Sequence, residues 1–182
     1  SQYNNPILAS SNLILKLTAF FASHKDSIFA IGYFQAKGST NVIPDQVKLM
    51  GTFRALSEEY RIQSHIDMRN IVSDVEKEYN VKIELDIRHG YPALYNDEEF
   101  TKKQILSAKK YLGKENVIDL PIRMTAEDFS YFANTVPSCF YRLGTGNKKT
   151  GIVHGLHTSR FDIDENSLKI GMGLLAYLAI SS

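Results

Sequence analysis

From Val47 to Ala55 the chain alternates residue by residue, with Val47, Leu49, Gly51, Phe53 and Ala55 on one side and Lys48, Met50, Thr52 and Arg54 on the other. A period of two predicts a strand with one buried face and one wet face. Such a strand needs a partner, and the preceding run, residues 27–36, is dense in β-branched and aromatic side chains. Between the two, Gly38-Ser39-Thr40-Asn41 marks a turn, so the pair reads as a hairpin.

The flanks extend the constraint. Asn5-Pro6 supplies a cap and a first-turn proline, and Leu13, Leu17 and Phe20 or Phe21 then recur at helical spacing, predicting a helix over residues 6–23. Ser57 followed by Glu58 and Glu59 opens a second helix, with Ile62, Ile66, Val72, Val75 and Tyr79 as its apolar side. Val81, Ile83, Leu85 and Ile87 alternate with Lys82, Glu84, Asp86 and Arg88 and predict a third strand. Helix, strand, strand, helix, strand is the order of a ferredoxin-like α+β sandwich without its first strand, so an upstream strand is expected.

The pattern changes after Gly90-Tyr91-Pro92. Asn96 to Glu99 reads as a capping box opening a helix that runs to Leu112 and stops at Gly113. A short helix over 126–133, a strand over 139–143, a polar loop over 144–160 and a final helix over 165–180 follow. These alternating elements predict an α/β domain with too few strands to close its own core. The expected division is residues 1–87 and 88–182, and the helices from Asn96 onward should leave apolar faces open to self-association.

Composition excludes several classes. With 21 basic and 20 acidic residues among 182, the chain carries no electrostatic footprint for nucleic acid or an anionic membrane. No apolar run reaches the length of a membrane span. The single Cys139 excludes an internal disulfide and favours a reducing, cytoplasmic setting.

Few residues could carry chemistry. Of five histidines, His154 and His157 lie three apart in a loop, where neutral imidazoles can bind metal but nothing forces both rings to one point. Thr125-Ala-Glu-Asp128 fits a helix cap, with the alternative that Glu127 points into a cleft and orients a ligand or substrate group. Arg54 on the polar strand face and Asn41 in the preceding turn offer a guanidinium and an amide, which together could hold a carboxylate. The loop from Gly144 to Gly151 has two lysines among glycines, but it lacks the Gly-Lys-Ser/Thr ending of a phosphate loop and no helix is expected to follow it.

Gly38 to Arg54 (GSTNVIPDQVKLMGTFR), Gly90 to Asn96 (GYPALYN), Met124 to Phe132 (MTAEDFSYF), Leu143 to Gly146 (LGTG) and His157 to Phe161 (HTSRF) together resemble the M20 metallopeptidase family. The branch of N-acyl-amino-acid amidohydrolases, with hippurate and auxin-conjugate hydrolases, is the most similar. That resemblance implies a two-domain homodimeric enzyme: a catalytic α/β domain with two divalent metals (zinc, manganese or cobalt), and an inserted lid that mediates dimer contacts. By the family pattern His157 would be a metal ligand, Asn41 and Arg54 would contact the substrate carboxylate, and Gly144 and Gly146 would line the pocket through their backbone. The implied reaction is hydrolysis of an N-acyl amino acid or small peptide by a metal-activated water.

The sequence departs from the pattern at Ala126, where the family has Gly or Ser, and at Ser159, where it has Pro. The family's early histidine, bridging aspartate, Glu-Glu pair and lid histidine have no counterparts. The chain alone is therefore expected to be inactive and to bind metal weakly at most. A non-catalytic dimerisation or binding module is the alternative.

Overall fold

The computed structural model describes residues 4–181 and resolves two compact units. The first comprises the chain up to Ala93 together with Arg123–Ala126, and the second comprises Leu94–Ile122 and the chain from Glu127 onward.

In the first unit, α1 (Pro6–Ala22) begins where the Asn5 side chain accepts the Ile7 and Leu8 amides, which satisfies two donors left over by the helix start. Its buried residues, Ala9, Leu13, Leu17 and Phe21, recur every four positions and form one stripe. Strands β1 (Ser27–Ala36) and β2 (Val47–Ala55) pair antiparallel, and the register slips between Ile31 and Tyr33, leaving Gly32 as the extra residue of a bulge. Helix α2 (Glu58–Tyr79) is capped by Ser57 and ends at Asn80, whose φ of 50° lies in the left-handed region. Met68, Val72 and Val75 of α2 meet the α1 stripe, with Phe29, Leu49 and Phe53 of the hairpin packed beneath. Lys16 and Glu78 join the two helices at 2.6 Å, a partly exposed pair worth well under about 1 kcal/mol.

Gly51 faces Ile31 across the hairpin, where a Cβ would stand 2.5 Å from the Ala30 carbonyl oxygen and 2.7 Å from Ile31 Cδ1. A strand has no room to yield at a backbone oxygen. Gly51→Ala is therefore expected to destabilise the unit by about 1–3 kcal/mol, read as a lowered denaturant midpoint. An unchanged midpoint would mean that the two strands can part here without loss.

The third expected strand, residues 81–88, is not one among the described residues. Val81, Ile83 and Ile87 do pack on the core of the first unit, as their alternation requires. The segment lacks a neighbouring ladder, and a strand exists only where another chain segment takes its amides and carbonyls. One substitute is local: Glu76 Oε1 accepts the Ile83 amide at 2.7 Å. We call residues 81–90 the strap.

The second unit holds α3 (Glu98–Leu112), the short α4 (Ser130–Ala133) and α5 (Asn166–Ile180), with single 3₁₀ turns at Lys114–Asn116 and Lys148–Thr150. Helices α3 and α5 pack together, and Tyr111 stacks on Tyr177 with ring centroids 5.2 Å apart. Its described apolar side chains are mostly exposed. Leu174 and Leu178 are buried, whereas Leu106, Ile118, Phe132, Met172 and Leu175 face solvent, as expected of helices that leave an apolar face uncovered. The expected strand over 139–143 is also absent. There the Asn96 side chain takes the place of a strand partner: Asn96 Oδ1 accepts the Phe140 amide at 2.7 Å and Asn96 Nδ2 donates to the Phe140 carbonyl at 2.9 Å. Asn96 is thereby drawn away from the helix, and Asp97 caps α3 instead.

Candidate functional site

The first unit carries Asn41 and Arg54. Asn41 sits in a tight turn closed by reciprocal bonds between Ser39 and Val42, both 3.2 Å, and its Oδ1 accepts from the Ser39 hydroxyl at 3.1 Å. That leaves the side-chain amide nitrogen to donate. Arg54 lies at the other end of the hairpin, beside Ile28 and seven residues into β2. At about 3.3 Å per residue the two side chains are rooted roughly 20 Å apart, too far to hold one carboxylate within a single copy. A concavity of about 300 Å³ beside the turn is lined by Gln35, Lys37, Pro44, Asp45, Gln46 and Lys48, and by neither of these residues.

Arg54 Nη1 donates to the Met124 carbonyl at 2.7 Å, across 70 residues of sequence. The bond ties the short segment Arg123–Ala126 to the first unit. The other guanidinium donors have no protein partner among the described residues and are open to an anion.

The second unit carries Glu127, Gly144, Gly146 and His157. Glu127 precedes α4 rather than sitting in it, because the helix begins at Ser130 with no side-chain cap. Backbone bonds shape the start of the helix, with the Ser130 amide on the Glu127 carbonyl and the Tyr131 amide on that of Asp128. The Glu127 carboxylate accepts from Arg142 Nη2 at 3.1 Å, and both side chains are about a third exposed. Arg142 was not singled out from the sequence. Fifteen positions separate it from Glu127, beyond any local spacing rule.

Gly144 and Gly146 begin a loop braced at several points. Asn147 and Ile152 exchange backbone bonds of 2.8 and 2.9 Å, the Asp164 amide donates to the Thr145 carbonyl, and Asn147 Nδ2 donates to Asp164 Oδ2 at 2.6 Å. The Asn147 amide holds the Asp164 carboxyl below its ordinary range, helped by the Asn166 amide. A Cβ on Gly146 would stand 3.3 Å from the Ile152 carbonyl, so glycine lets the two sides of the loop close. Lys148 and Lys149 fall in a single 3₁₀ turn, which presents no helix N-terminus to a phosphate.

His157 is exposed, and its φ of 65° lies in the left-handed region, at a cost of order 1–3 kcal/mol for a residue with a side chain. The turn around it is fastened by Thr158 Oγ1 on the Gly155 carbonyl at 2.9 Å and the Phe161 amide on the Thr158 carbonyl at 3.1 Å. A fixed and strained backbone presents the imidazole outward. Yet no group of three or more His, Cys, Asp or Glu side chains among the described residues could hold a metal ion. One imidazole is not a metal centre, and the residues present do not make one by themselves.

Comparison with known proteins gives these positions a context. The family described as Peptidase family M20/M25/M40 matches residues 9–181. Thermostable carboxypeptidase 1 of Saccharolobus solfataricus is 33% identical over 84% of the chain and 38% of its own length. The IAA-amino acid hydrolase ILR1-like 6 of Arabidopsis thaliana is 30% identical over 96% of the chain and 39% of its own. The crystal structure of the Bacillus subtilis YXEP protein, described as a dinuclear metal binding peptidase from the M20 family, superposes with a TM-score of 0.74. It is 25% identical, over 97% of this chain and 46% of that one. The chain thus spans less than half the length of these relatives.

Proposed function

Because the chain belongs to peptidase family M20/M25/M40, we propose that it works as part of a longer amide hydrolase whose substrates are N-acyl amino acids or small peptides. The observation that carries this reading is the family match across residues 9–181, in which the hairpin, the Glu127 segment, the glycine loop and His157 occur together. Relatives named as carboxypeptidase and as IAA-amino acid hydrolase both point to an amide bond next to a free carboxylate.

The proposed roles follow the chemistry of each group. Arg54 offers its unoccupied guanidinium donors to the substrate carboxylate, and Asn41 offers its amide nitrogen. Their separation along the hairpin favours a homodimer in which one copy supplies Asn41 and the other Arg54. Gly144 and Gly146 present backbone to the substrate because no side chain intervenes there. Glu127, steadied by Arg142, orients a neighbouring group. His157 contributes one imidazole to a divalent-metal site, of zinc, manganese or cobalt, whose other donors lie outside these residues. The free Cys139 agrees with a reducing compartment, and no helix among the described residues is long and apolar enough to cross a membrane.

The test is a panel of acetyl- and benzoyl-amino acids and dipeptides, assayed against the 182-residue chain and against a polypeptide extended to the relatives' length. We expect turnover from the longer polypeptide, its loss with a chelator, and none from the chain alone. A longer polypeptide that dimerises but cleaves nothing in the panel would favour a binding module instead.

A further inference from the structure

The strap is fastened to α2 by two histidines that the proposed hydrolysis does not use. His65, on α2, is 6% exposed. Its ring meets that of His89, near the end of the strap, edge to face, with centroids 4.8 Å apart and planes at 80°. Neither ring nitrogen of His65 has a hydrogen-bond partner among the described residues, so the contact is the edge of one ring against the face of the other and not a shared proton.

The charges around His65 are mostly of one sign. Burial pushes its titration below the ordinary histidine range, with His89, Arg61 and Arg69 acting the same way and Glu58 opposing them. Arg69 lies against the His65 carbonyl at 3.0 Å, and Arg61 is paired to Glu58. On the strap, Asp86 and Arg88 pair with each other at 3.1 Å, in solvent, and do not neutralise the site. Glu58 is itself held below the usual carboxylate range, first by its bond from Arg61, and it also accepts from the Ala93 backbone. It stays charged, and keeps that bond, at pH values where histidine titrates.

We propose that the His65–His89 contact is an acid-released clasp: with His65 neutral it fixes the strap on α2, and proton uptake by His65 frees the strap's end beside Gly90. The imidazolium has no hydrogen-bond partner among the described residues, and the charges near it are two guanidinium groups against the single Glu58 carboxylate. The His89 ring covers one side of it, and its hydration improves when that ring lifts away. The rest of the strap has separate anchors, the Val81 amide on the Glu76 carbonyl, the Ile83 amide on Glu76 Oε1 and the Ile87 side chain on the core, so release is confined to residues 88–90. Residues 88–90 thereby gain or lose a fixed backbone with pH, while Ala93, the last residue before the chain passes to the second unit, stays on Glu58.

The sign follows from proton counting. The released state binds the proton at the ordinary value near 6.5 and the clasped state only at lower pH, so the ratio of clasped to released strap falls as pH drops below about 6.5. One linked proton limits the slope to tenfold per pH unit, and the fall ends once the clasped form protonates as well.

The experiment is a proton NMR titration of the 182-residue chain from pH 8 to 5, following both imidazole rings, the cross-relaxation between them, and backbone order at residues 88–90. We expect the ring-to-ring signal and the order at 88–90 to be lost in one transition, coincident with protonation of His65, while α1 and the hairpin stay unchanged. In His65→Gln the order at 88–90 should be independent of pH. Should that variant misfold, the coincidence within the unsubstituted chain still decides. Loss of order persisting in His65→Gln, or His65 titrating while the ring-to-ring signal and strap order stay constant, would overturn the proposal.

Discussion

Phe21→Ala is expected to lower the unfolding free energy of the first unit by about 3–5 kcal/mol, within the range for buried phenylalanine truncations. Phe21 is 3% exposed at the last turn of α1 and closes the junction between helix and hairpin. Its ring stacks on Phe29 at 5.0 Å and 27°, tilts on Phe53 at 4.7 Å and 43°, and meets Phe20 edge-on at 5.0 Å. Three of these four rings come from different elements, and each is held by its own helix or ladder. The void left by alanine therefore cannot be filled by one side chain swinging over. A guanidinium titration followed by circular dichroism reads the change. A cost below about 1 kcal/mol would mean that the aromatic junction collapses freely and is not the keystone of this unit.

The second large effect concerns chemistry. In a polypeptide extended to the relatives' length, His157→Gly is expected to reduce hydrolysis of N-acyl amino acids by roughly 100-fold or more, and to weaken metal retention by at least as much as loss of a group supporting a ligand. Glycine is the informative replacement because His157 occupies a left-handed φ of 65°. Removing its Cβ relieves backbone strain, so the variant should be no less stable, to within the added freedom of the unfolded chain. Lost turnover with retained stability separates a role in the site from a role in folding. Retained turnover would remove His157 from the site.

What was legible in the sequence is what local patterning controls. The four-residue stripe of α1, the cap at Asn5, the two-residue period of β2 and the acid-rich start of α2 all depend on neighbours within a few positions, and each formed as patterned. The strap carries the same alternation as β2, but alternation specifies which side chains face a core and says nothing about whether a ladder partner exists. The cap of α3 moved from Asn96 to Asp97 because a bond to Phe140, 44 residues away, outcompeted a local one.

The site divided along the same line. Asn41, Arg54, Glu127, Gly144, Gly146 and His157 were identifiable as residue types in motifs, whereas the groups they touch were not. Met124 for Arg54 and Arg142 for Glu127 are set by tertiary packing alone. The distance between Asn41 and Arg54 was available all along, because a hairpin that turns near Asn41 must carry residue 54 to its open end.

Asn96 bears on how this molecule ages. A single side-chain amide serves as both donor and acceptor to the Phe140 backbone, doing the work of a whole strand residue. Asparagine is among the thermolabile residues, and its hydrolysis to aspartate exchanges the donating nitrogen for a second oxygen. The acceptor bond would survive, while the other oxygen, now anionic, would face the Phe140 carbonyl. A chemical change of one atom at this position would loosen the start of α3 from the segment that carries Arg142, a wear point set by the choice of an amide where a ladder would have been inert.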